Sequence, residues 1–419
     1  MSSRARRLGL LLAFGGVLLA LPLLLTPNLV NAVIKMMIAG LFALSFSLAM
    51  GQAGMLSFGH SAYYGLGAFA TLHLMKAVER SFVAWPTPLL PLAGAAAGLL
   101  CGLAFGWLAT QRTGVYFAMV TLALAELLFT LAPTWNSVFG GEAGISTMRM
   151  NSWSIDFATD RGVYYLTLAW VVGSSWCLWA FTRTPMGRLA LAVRDNEHRL
   201  RFLGFNTHGA KTLIFAVSTM FTGVAGALLA IANEATNYTI FSAQASANVV
   251  LQTFIGGAGT FLGPALGAAI MTFFARVTSD LTRSWLLYQG LVFVIVMLFV
   301  PDVIGGLISV HARRLRASAF KHLTLPYLVC LVVGVLLLVG VVFTVESVHV
   351  LLSDAYAVLR RTNGGAPVPY GLFGRQFHPL SPWTWAIPVV SILAGAVLLP
   401  VARRLTRDGW SRAVGESAA

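Results

Sequence analysis

Charge and cysteine are scarce in this sequence. Only 10 % of its 419 residues are charged, whereas 58 % are hydrophobic and the mean hydropathy is +0.79. Soluble domains carry about 25 % charged residues, so this composition excludes an ordinary soluble protein and indicates an integral membrane protein. The three cysteines, Cys101, Cys177 and Cys330, lie in apolar runs without metal-binding or redox spacing. We interpret them as packing residues.

Catalytic and nucleotide-binding motifs are also missing. The sequence contains no G-x-x-x-x-G-K-[ST] phosphate loop, so we do not expect this chain to bind ATP. It has no H-E-x-x-H, no G-x-S-x-G and no metal-ligand spacing of cysteine and histidine, so we predict no catalytic residue, no metal site and no cofactor. His60 and Ser61 are adjacent, which keeps open one alternative from another class, a membrane-embedded enzyme that modifies lipids.

The formal net charge is +14. Lysine and arginine lie in short gaps between apolar runs, which indicates orientation in a membrane and argues against nucleic acid as a partner. The basic segments begin at Arg4, Arg112, Arg183, Arg313 and Arg403, in alternate gaps. They predict an inner-membrane, multi-pass protein with both termini in the cytoplasm.

Ten apolar runs are long enough to cross a hydrocarbon core of about 30 Å, and they predict an all-α bundle of transmembrane helices. The runs are 8–25, 29–50, 59–77, 88–110, 114–133, 163–181, 211–233, 285–307, 325–344 and 383–401. We interpret the first as a retained helix, because the next apolar run begins at once. An eleventh segment, 246–276, is interrupted by glycines. The alternation of sides requires it to be re-entrant or to cross twice.

Two glycine-interrupted segments therefore lie in different halves of the chain. The first contains Gly51, Gly54 and Gly59, and the second contains Gly256, Gly257, Gly259 and Gly263. Paired broken helices predict a substrate path, because unwound backbone in a membrane is tolerated only where it lies beside a cavity or within protein. Close helix packing through small residues is the alternative. The predicted path residues are Ser57, His60, Ser61, Tyr64, Thr121 and Glu126.

The longest predicted cytoplasmic loop, 182–211, contains an amphipathic helix. Thr184 is a predicted N-cap, Pro185 occupies the first helical position and Gly204 follows the last turn. Acidic residues among the basic ones favour a protein-docking surface over a helix that lies on lipid.

Four ordered motifs resemble the LivM-type permeases of branched-chain amino acid ABC importers. They are G-x-x-G-x-x-S-x-G at 51–59, RTGVYFAMVTLA at 112–123, the loop from Gly187 to Gly204, and IGGAGT-x-x-GP-x-x-G at 255–267. The match runs from about residue 29 to 308. In the outer loop this chain has Phe139-Gly140-Gly141 where similar permeases usually have Thr-Gly-Gly.

The resemblance implies an ABC importer permease fold and a role in importing branched-chain or related amino acids. It implies three kinds of partner besides the lipid bilayer: a second homologous permease, two cytoplasmic ATP-binding subunits and a periplasmic solute-binding protein. The residues that it implies for coupling to the ATPase are Gly187, Arg188, Arg194, Asp195, Asn196 and Glu197. Permeases for urea and short-chain amides look similar, so they remain an alternative.

We predict three parts in the chain. Residues 1–308 form the permease domain, residues 309–324 form a basic cytoplasmic linker, and residues 325–419 form an appendage with two transmembrane helices. No motif indicates what the appendage does.

Overall fold

A computed structural model describes residues 15–80, 82, 85–152, 156–299, 321–372 and 375–418. The chain divides into two compact units. The first comprises residues 1–276 and 293–306, and the second comprises residues 277–292 and 307–419. The expected linker falls mostly outside the described residues, as do the first residues of the amino-terminal span.

The described elements up to residue 281 are helices with two short strands. The helices are α1 (Gly15–Leu24), α2 (Pro27–Ser47), a π-helical turn (Leu48–Gln52), α3 (His60–Glu79), α4 (Pro91–Ala109), α5 (Val115–Leu131), α6 (Asn136–Phe139), α7 (Asp160–Arg183), α8 (Pro185–Phe202), α9 (Thr207–Asn233), α10 (Ala243–Gly256) and α11 (Gly263–Leu281). Single 3₁₀ turns lie at Thr87–Leu89 and Tyr238–Phe241. Strands β1 (Ile145–Ser146) and β2 (Ala235–Thr236) pair antiparallel.

The described elements of the remaining chain are α12 (Trp285–Phe299), α13 (Lys321–Leu352), α14 (Asp354–Thr362), β3 (Tyr370–Leu372), β4 (Arg375–Phe377) and α15 (Pro382–Ala418). In the second unit α13 packs along α15, and α14 and the β3–β4 hairpin follow the end of α13. Phe343, Tyr356, Tyr370 and Leu372 form a small core there.

The all-α fold that the sequence predicts is confirmed. Six helices within the described ranges are long and apolar enough to cross a membrane, and α1 and α5 are shorter apolar helices. These helices lie at the positions of the predicted apolar runs, but α13 and α15 extend well beyond their predicted spans.

Helix α9 is the centre of the first unit. Its most apolar stretch is 83 % buried, against 33 % for α4 and 39 % for α7. It packs against α2, α3, α4 and α8. Because lipid tails are as apolar as leucine, these contacts depend on close packing rather than on hydrophobic burial.

Gly223 of α9 is the point where three helices meet. A Cβ atom on Gly67 of α3 or on Gly94 of α4 would lie 2.4 Å from the Gly223 carbonyl oxygen. A Cβ on Gly98 would lie 2.3 Å from the carbonyl oxygen of Thr219, one turn away. The backbones therefore touch along this seam, and glycine is the residue that permits such an approach.

One end of the first unit carries α8 and Arg112, and we call it the basic end. At the opposite end, the loop after α5 is tied to the ends of α3 and α9. Thr147 donates a hydrogen bond to Glu79 (2.6 Å), and the Arg149 side chain forms an ion pair with Glu234 (2.9 Å). Phe139 is buried in this loop and contacts the rings of other core aromatics. The residues of the Phe-Gly-Gly departure therefore belong to a packed loop.

We predict that Gly98→Ala destabilises the protein by about 1–3 kcal/mol, because its methyl group meets backbone atoms of α9. Thermal unfolding of the detergent-purified chain measures the effect. Gly173→Ala on α7 is the matched control, since a Cβ there has no atom within 4 Å. We expect no loss of stability and a gain of up to about 1 kcal/mol, because alanine favours a helix interior more than glycine does. Equal melting temperatures for both variants would contradict the packing assignment.

Candidate transport site

The segment 51–59 interrupts the path from α2 to α3. Helix α2 continues into the π-helical turn at Leu48–Gln52, and regular structure resumes at His60. Gly54 ends the turn with φ +70°, a left-handed conformation that favours glycine. Its N–H donates to the Met50 carbonyl (3.0 Å).

This segment is where the four sequence motifs meet. A Cβ on Gly51 would lie 2.8 Å from the Ala258 carbonyl oxygen, and one on Gly59 would lie 2.1 Å from the carbonyl oxygen of Thr121. The Arg194 guanidinium donates a hydrogen bond to the Gly51 carbonyl. A Cβ on Gly54 would lie 3.1 Å from the Cγ of the same arginine. Elements far apart in sequence thus converge on one irregular stretch of backbone.

His60 begins α3 and is fully buried. Its Nε2 lies 3.0 Å from the Ser218 hydroxyl, which itself donates to the Ser45 carbonyl (2.6 Å). Because the serine hydrogen is committed to Ser45, the Nε2–H of His60 is the donor in the first contact. In the described part of the chain, Nδ1 has no hydrogen-bond partner, and no carboxylate contacts this ring.

Ser61 is bonded on three sides. Its hydroxyl donates to the Phe241 carbonyl (3.1 Å) and accepts from Ser246 (2.8 Å), and its N–H donates to the Ser246 hydroxyl (3.1 Å). Ser57 is buried too, and its hydroxyl accepts from the Gly59 N–H (3.2 Å). Ser61 therefore holds the start of α3 against the 3₁₀ turn and α10, whereas Ser57 stabilises the backbone just before α3.

Thr121 and Glu126 lie on different faces of α5. Thr121 is buried and donates to the Ala118 carbonyl (2.9 Å). Glu126 lies on the face that contains the exposed side chains of Tyr116 and Met119. Within the described residues, no hydrogen bond or ion pair to the Glu126 carboxylate is found. The Tyr64 ring, by contrast, is buried and stacks on Phe42, with ring centroids 4.5 Å apart.

Helices α10 and α11 form a tight hairpin. A Cβ on Gly256 would lie 2.0 Å from the Gly263 carbonyl oxygen. Gly257 has φ +93°, and Gly259 is exposed in the connecting turn. Helix α10 has 14 residues, about 21 Å at 1.5 Å per residue, which is shorter than a hydrocarbon core of about 30 Å. That length favours a re-entrant element, which stays a prediction.

The amphipathic helix α8 begins and ends as its sequence predicts. Thr184 accepts a hydrogen bond from the Gly187 N–H (3.2 Å), and Pro185 follows the cap. At the other end the Gly204 N–H donates to Arg201 (3.0 Å), and the Phe205 N–H donates to Leu200 (3.1 Å). This pair of bonds is a Schellman motif.

The helix is not continuous, however, which differs from the single helix that we expected. Asn196 is extended, with φ −161° and ψ 96°. Its side-chain oxygen accepts from the Arg199 N–H (2.9 Å), so it is the N-cap of a second helical piece. Asparagine favours caps over helix interiors, which is the local reason for the break.

Glu197 ties the second piece of α8 to α9. Its Oε1 accepts from Lys211 (2.9 Å), Arg201 (2.6 Å) and Thr207 (3.1 Å). Burial of Glu197 opposes ionisation, but the hydrogen bonds from Lys211 and Arg201 outweigh it, and the net pKa lies below its ordinary value. Lys211 is itself buried, with 4 % of its side chain exposed, so the pair fixes the contact between the helices.

The remaining predicted coupling residues have separate surroundings. Gly187 is buried where α7 turns into α8, and a Cβ there would lie 2.3 Å from the Phe181 carbonyl oxygen. Arg188 and Asp195 are exposed. Sequence reasoning missed Lys211, Thr207, Ser218 and Ser246 as partners. Arg201 lies four residues after Glu197, so helical spacing could have predicted that contact.

Two cavities open beside these elements. One of about 170 Å³ lies at the basic end, and its lining includes Gly54, Arg112, Arg194, Glu197 and Lys211. One of about 450 Å³ lies at the opposite end, lined by neutral side chains that include Asn233, Asn237 and Thr239. The described residues contain no cluster of three or more potential metal ligands.

The first unit combines long apolar helices, an irregular glycine-rich segment between them and a capped charged loop. This combination is typical of a polytopic membrane permease. The chain belongs to the family described as branched-chain amino acid transport system / permease component, whose pattern matches residues 28–301. This is a family of transport permeases rather than of enzymes, and the protein is a multi-pass protein of the bacterial inner membrane.

Similar proteins carry the same description. The permease protein LivM of Salmonella typhimurium strain LT2 is 26 % identical over 74 % of this chain and 76 % of its own length. LivM of Escherichia coli K12 is 27 % identical over 71 % of this chain and 74 % of its own. BraD of Pseudomonas aeruginosa is 24 % identical over 67 % of this chain and 95 % of its own. All three are named as high-affinity branched-chain amino acid transport permeases. No solved structure matches this chain.

We predict that Glu197 stabilises the fold at neutral pH and that this stabilisation is lost in acid. Because the folded pKa lies below the ordinary value of 4.5, the contribution is fully present above pH 4.5 and is lost as the pH falls through the folded pKa. The melting temperature of Glu197→Gln should therefore lie below that of the wild type at neutral pH, and the two should converge in acid. Asp195→Asn, at an exposed neighbour, is the control and should melt with the wild type at neutral pH. A gap that widens in acid would contradict the assignment.

Proposed function

We propose that this chain is the permease subunit of an ABC importer and forms half of a path for branched-chain or related amino acids. Family membership and the printed names of the relatives support the substrate class. The observation that carries the mechanism is the hydrogen bond from Arg194 of α8 to the Gly51 carbonyl. It connects the charged loop directly to the irregular backbone.

Permease components of ABC importers work with ATPase and substrate-binding partners. The particular assembly is our proposal: a second homologous permease, two ATP-binding subunits on the α8 side and a periplasmic solute-binding protein at the opposite end. The lack of a phosphate loop in the sequence supports an external source of energy. In this arrangement the basic end and both chain termini are cytoplasmic, in accord with the distribution of lysine and arginine.

Movement of α8 would reach the path by two routes. Its first piece holds Gly51 through Arg194, and its second piece holds α9 through Glu197 and Lys211. A displacement imposed by an ATPase on the exposed residues Arg188 and Asp195 would therefore pull the glycine-rich turn relative to α9. Because a turn lacks the hydrogen-bond ladder of a helix, this segment can change its backbone at low cost.

The path itself is proposed to follow the exposed face of α5. A carboxylate within an apolar helix is costly on a lipid-facing surface, so the partly exposed Glu126 favours a face covered by water or by the second permease. The other predicted path residues are buried in the conformation described here, namely Ser57, His60, Ser61, Tyr64 and Thr121. They would contact substrate after the segment 51–59 moves.

Neither alternative gains support from the geometry. A lipid-modifying enzyme that used His60 and Ser61 would need both groups accessible, yet both are fully buried. Transport of urea or short-chain amides has no feature in its favour beyond the general likeness of such permeases.

We predict that Arg194→Ala uncouples the importer. A hydrogen bond to a charged group is worth about 1.5–3 kcal/mol, so uptake by the reconstituted complex should fall about tenfold or more while ATP hydrolysis continues. Uptake of labelled leucine and phosphate release from the same vesicles measure the two activities. Arg161→Ala, at the far end of α7, is the control and should behave as wild type. Unchanged uptake with Arg194→Ala would count against the coupling role.

We predict that Glu126→Leu lowers uptake about tenfold or more without loss of assembly, because it makes the proposed path apolar at one position. Glu126→Gln should retain more activity, since an amide keeps the site polar. Co-purification of the ATPase reports assembly, and Glu142→Gln in the exposed loop is the control. If Glu126→Leu transports normally, the α5 face does not line the path.

A further inference from the structure

The second unit contains a groove that transport does not explain. It has a volume of about 430 Å³ and runs between α13 and α15. This size lies within the range of about 300–1,000 Å³ that is typical of small-molecule sites. Its lining is apolar at one end, where Val333, Gly334, Leu337 and Leu399 lie, and basic at the other.

The packing of the two helices explains why the groove exists. Near the middle of α13 they touch closely, since a Cβ on Gly340 would lie 2.5 Å from Ile392 and one on Gly395 would lie 2.7 Å from Leu337. Further along, a Cβ on Gly334 would have no atom within 4 Å. The missing side chain of Gly334 therefore leaves space between helices that are otherwise in contact.

The basic end is built by α15. Arg403 and Arg407 are one helical turn apart and both line the groove, together with Thr406 and Trp410. Within the described ranges, neither arginine forms an ion pair. Trp410 hydrogen-bonds to Tyr327, and such aromatic residues are typical of the membrane interface. Two arginines without an ion pair among the described residues thus lie at the same end of the groove as Trp410.

We propose that this groove binds one anionic phospholipid, with an acyl chain along Gly334 and the phosphate on Arg403 and Arg407. Basic pockets at the ends of transmembrane helices recognise anionic headgroups in this way. The apolar groove and the two cations match the two chemical parts of such a lipid. The proposal requires a membrane-embedded hairpin and does not depend on the transported substrate.

The test measures lipid retained by the protein, which is independent of transport. The complex that contains the full chain is reconstituted in nanodiscs of phosphatidylcholine with a minor fraction of phosphatidylglycerol, re-extracted in mild detergent and studied by native mass spectrometry. We expect one retained phosphatidylglycerol per chain. Each arginine near an anionic lipid contributes about 1 kcal/mol, or about fivefold, so Arg403→Gln with Arg407→Gln should reduce retention on the order of tenfold or more.

Two further variants separate the possible causes. Arg404→Gln with Arg412→Gln removes the same charge from α15 at positions that do not line the groove, and retention should not change. Gly334→Leu fills the groove and leaves both arginines in place, and retention should fall. Equal losses in the two arginine pairs would indicate general surface charge and overturn the proposal.

Full retention with Gly334→Leu would overturn it as well, because the acyl chain would then lie elsewhere. Crosslinking of Gly334→Cys to the second permease in the native membrane would overturn it too, since protein would then occupy the groove. Melting temperatures of all variants identify any that fail to fold, and Gly334→Ala serves as the milder substitution in that case.

Discussion

Backbone-to-backbone contact through glycine is the constraint on which this fold depends. In a membrane, burial of apolar surface between helices contributes little free energy to their association, because lipid is apolar too. Association therefore depends on close packing. Gly223 places α9 against α3 and α4 at once, and the approach leaves no room for a methyl group. With α9 fixed in this way, its hydroxyl groups reach α2 and α3, and the polar contacts of His60 and Ser45 become possible.

Close backbone contact through glycine also occurs at the candidate transport site. Gly51 and Gly59 bring the segment between α2 and α3 into contact with the α10–α11 turn and with α5. Here Gly51 lies in a π-helical turn and Gly59 directly precedes α3, so close contact occurs where the regular α-helix is interrupted. The glycine seam at Gly67 and the glycine-rich segment that leads into α3 therefore both adjoin the same helix.

Local signals were sufficient to predict the helices and the caps of α8, because hydropathy and cap residues act over a few positions. They were insufficient for the contacts that connect the site. Arg194 and Gly51 are 143 residues apart, and Glu197 and Lys211 are 14 apart across a turn. Such pairs depend on how whole helices pack. Helical geometry alone places Thr121 and Glu126 on different faces of α5, since five residues turn an α-helix by about 140°. The sequence did not show which of these faces is buried.

The extended residue within α8 has a mechanical consequence. An unbroken helix would act as a rod and would carry rotation and translation together to everything attached to it. Asn196 instead separates two helical pieces with different attachments, the first to Gly51 through Arg194 and the second to α9 through Glu197 and Lys211. Under the proposed coupling, the exposed residues Arg188 and Asp195 lie on the first piece, on the same side of the break as Arg194. Motion of that piece would therefore reach the glycine-rich segment without an equal motion of α9.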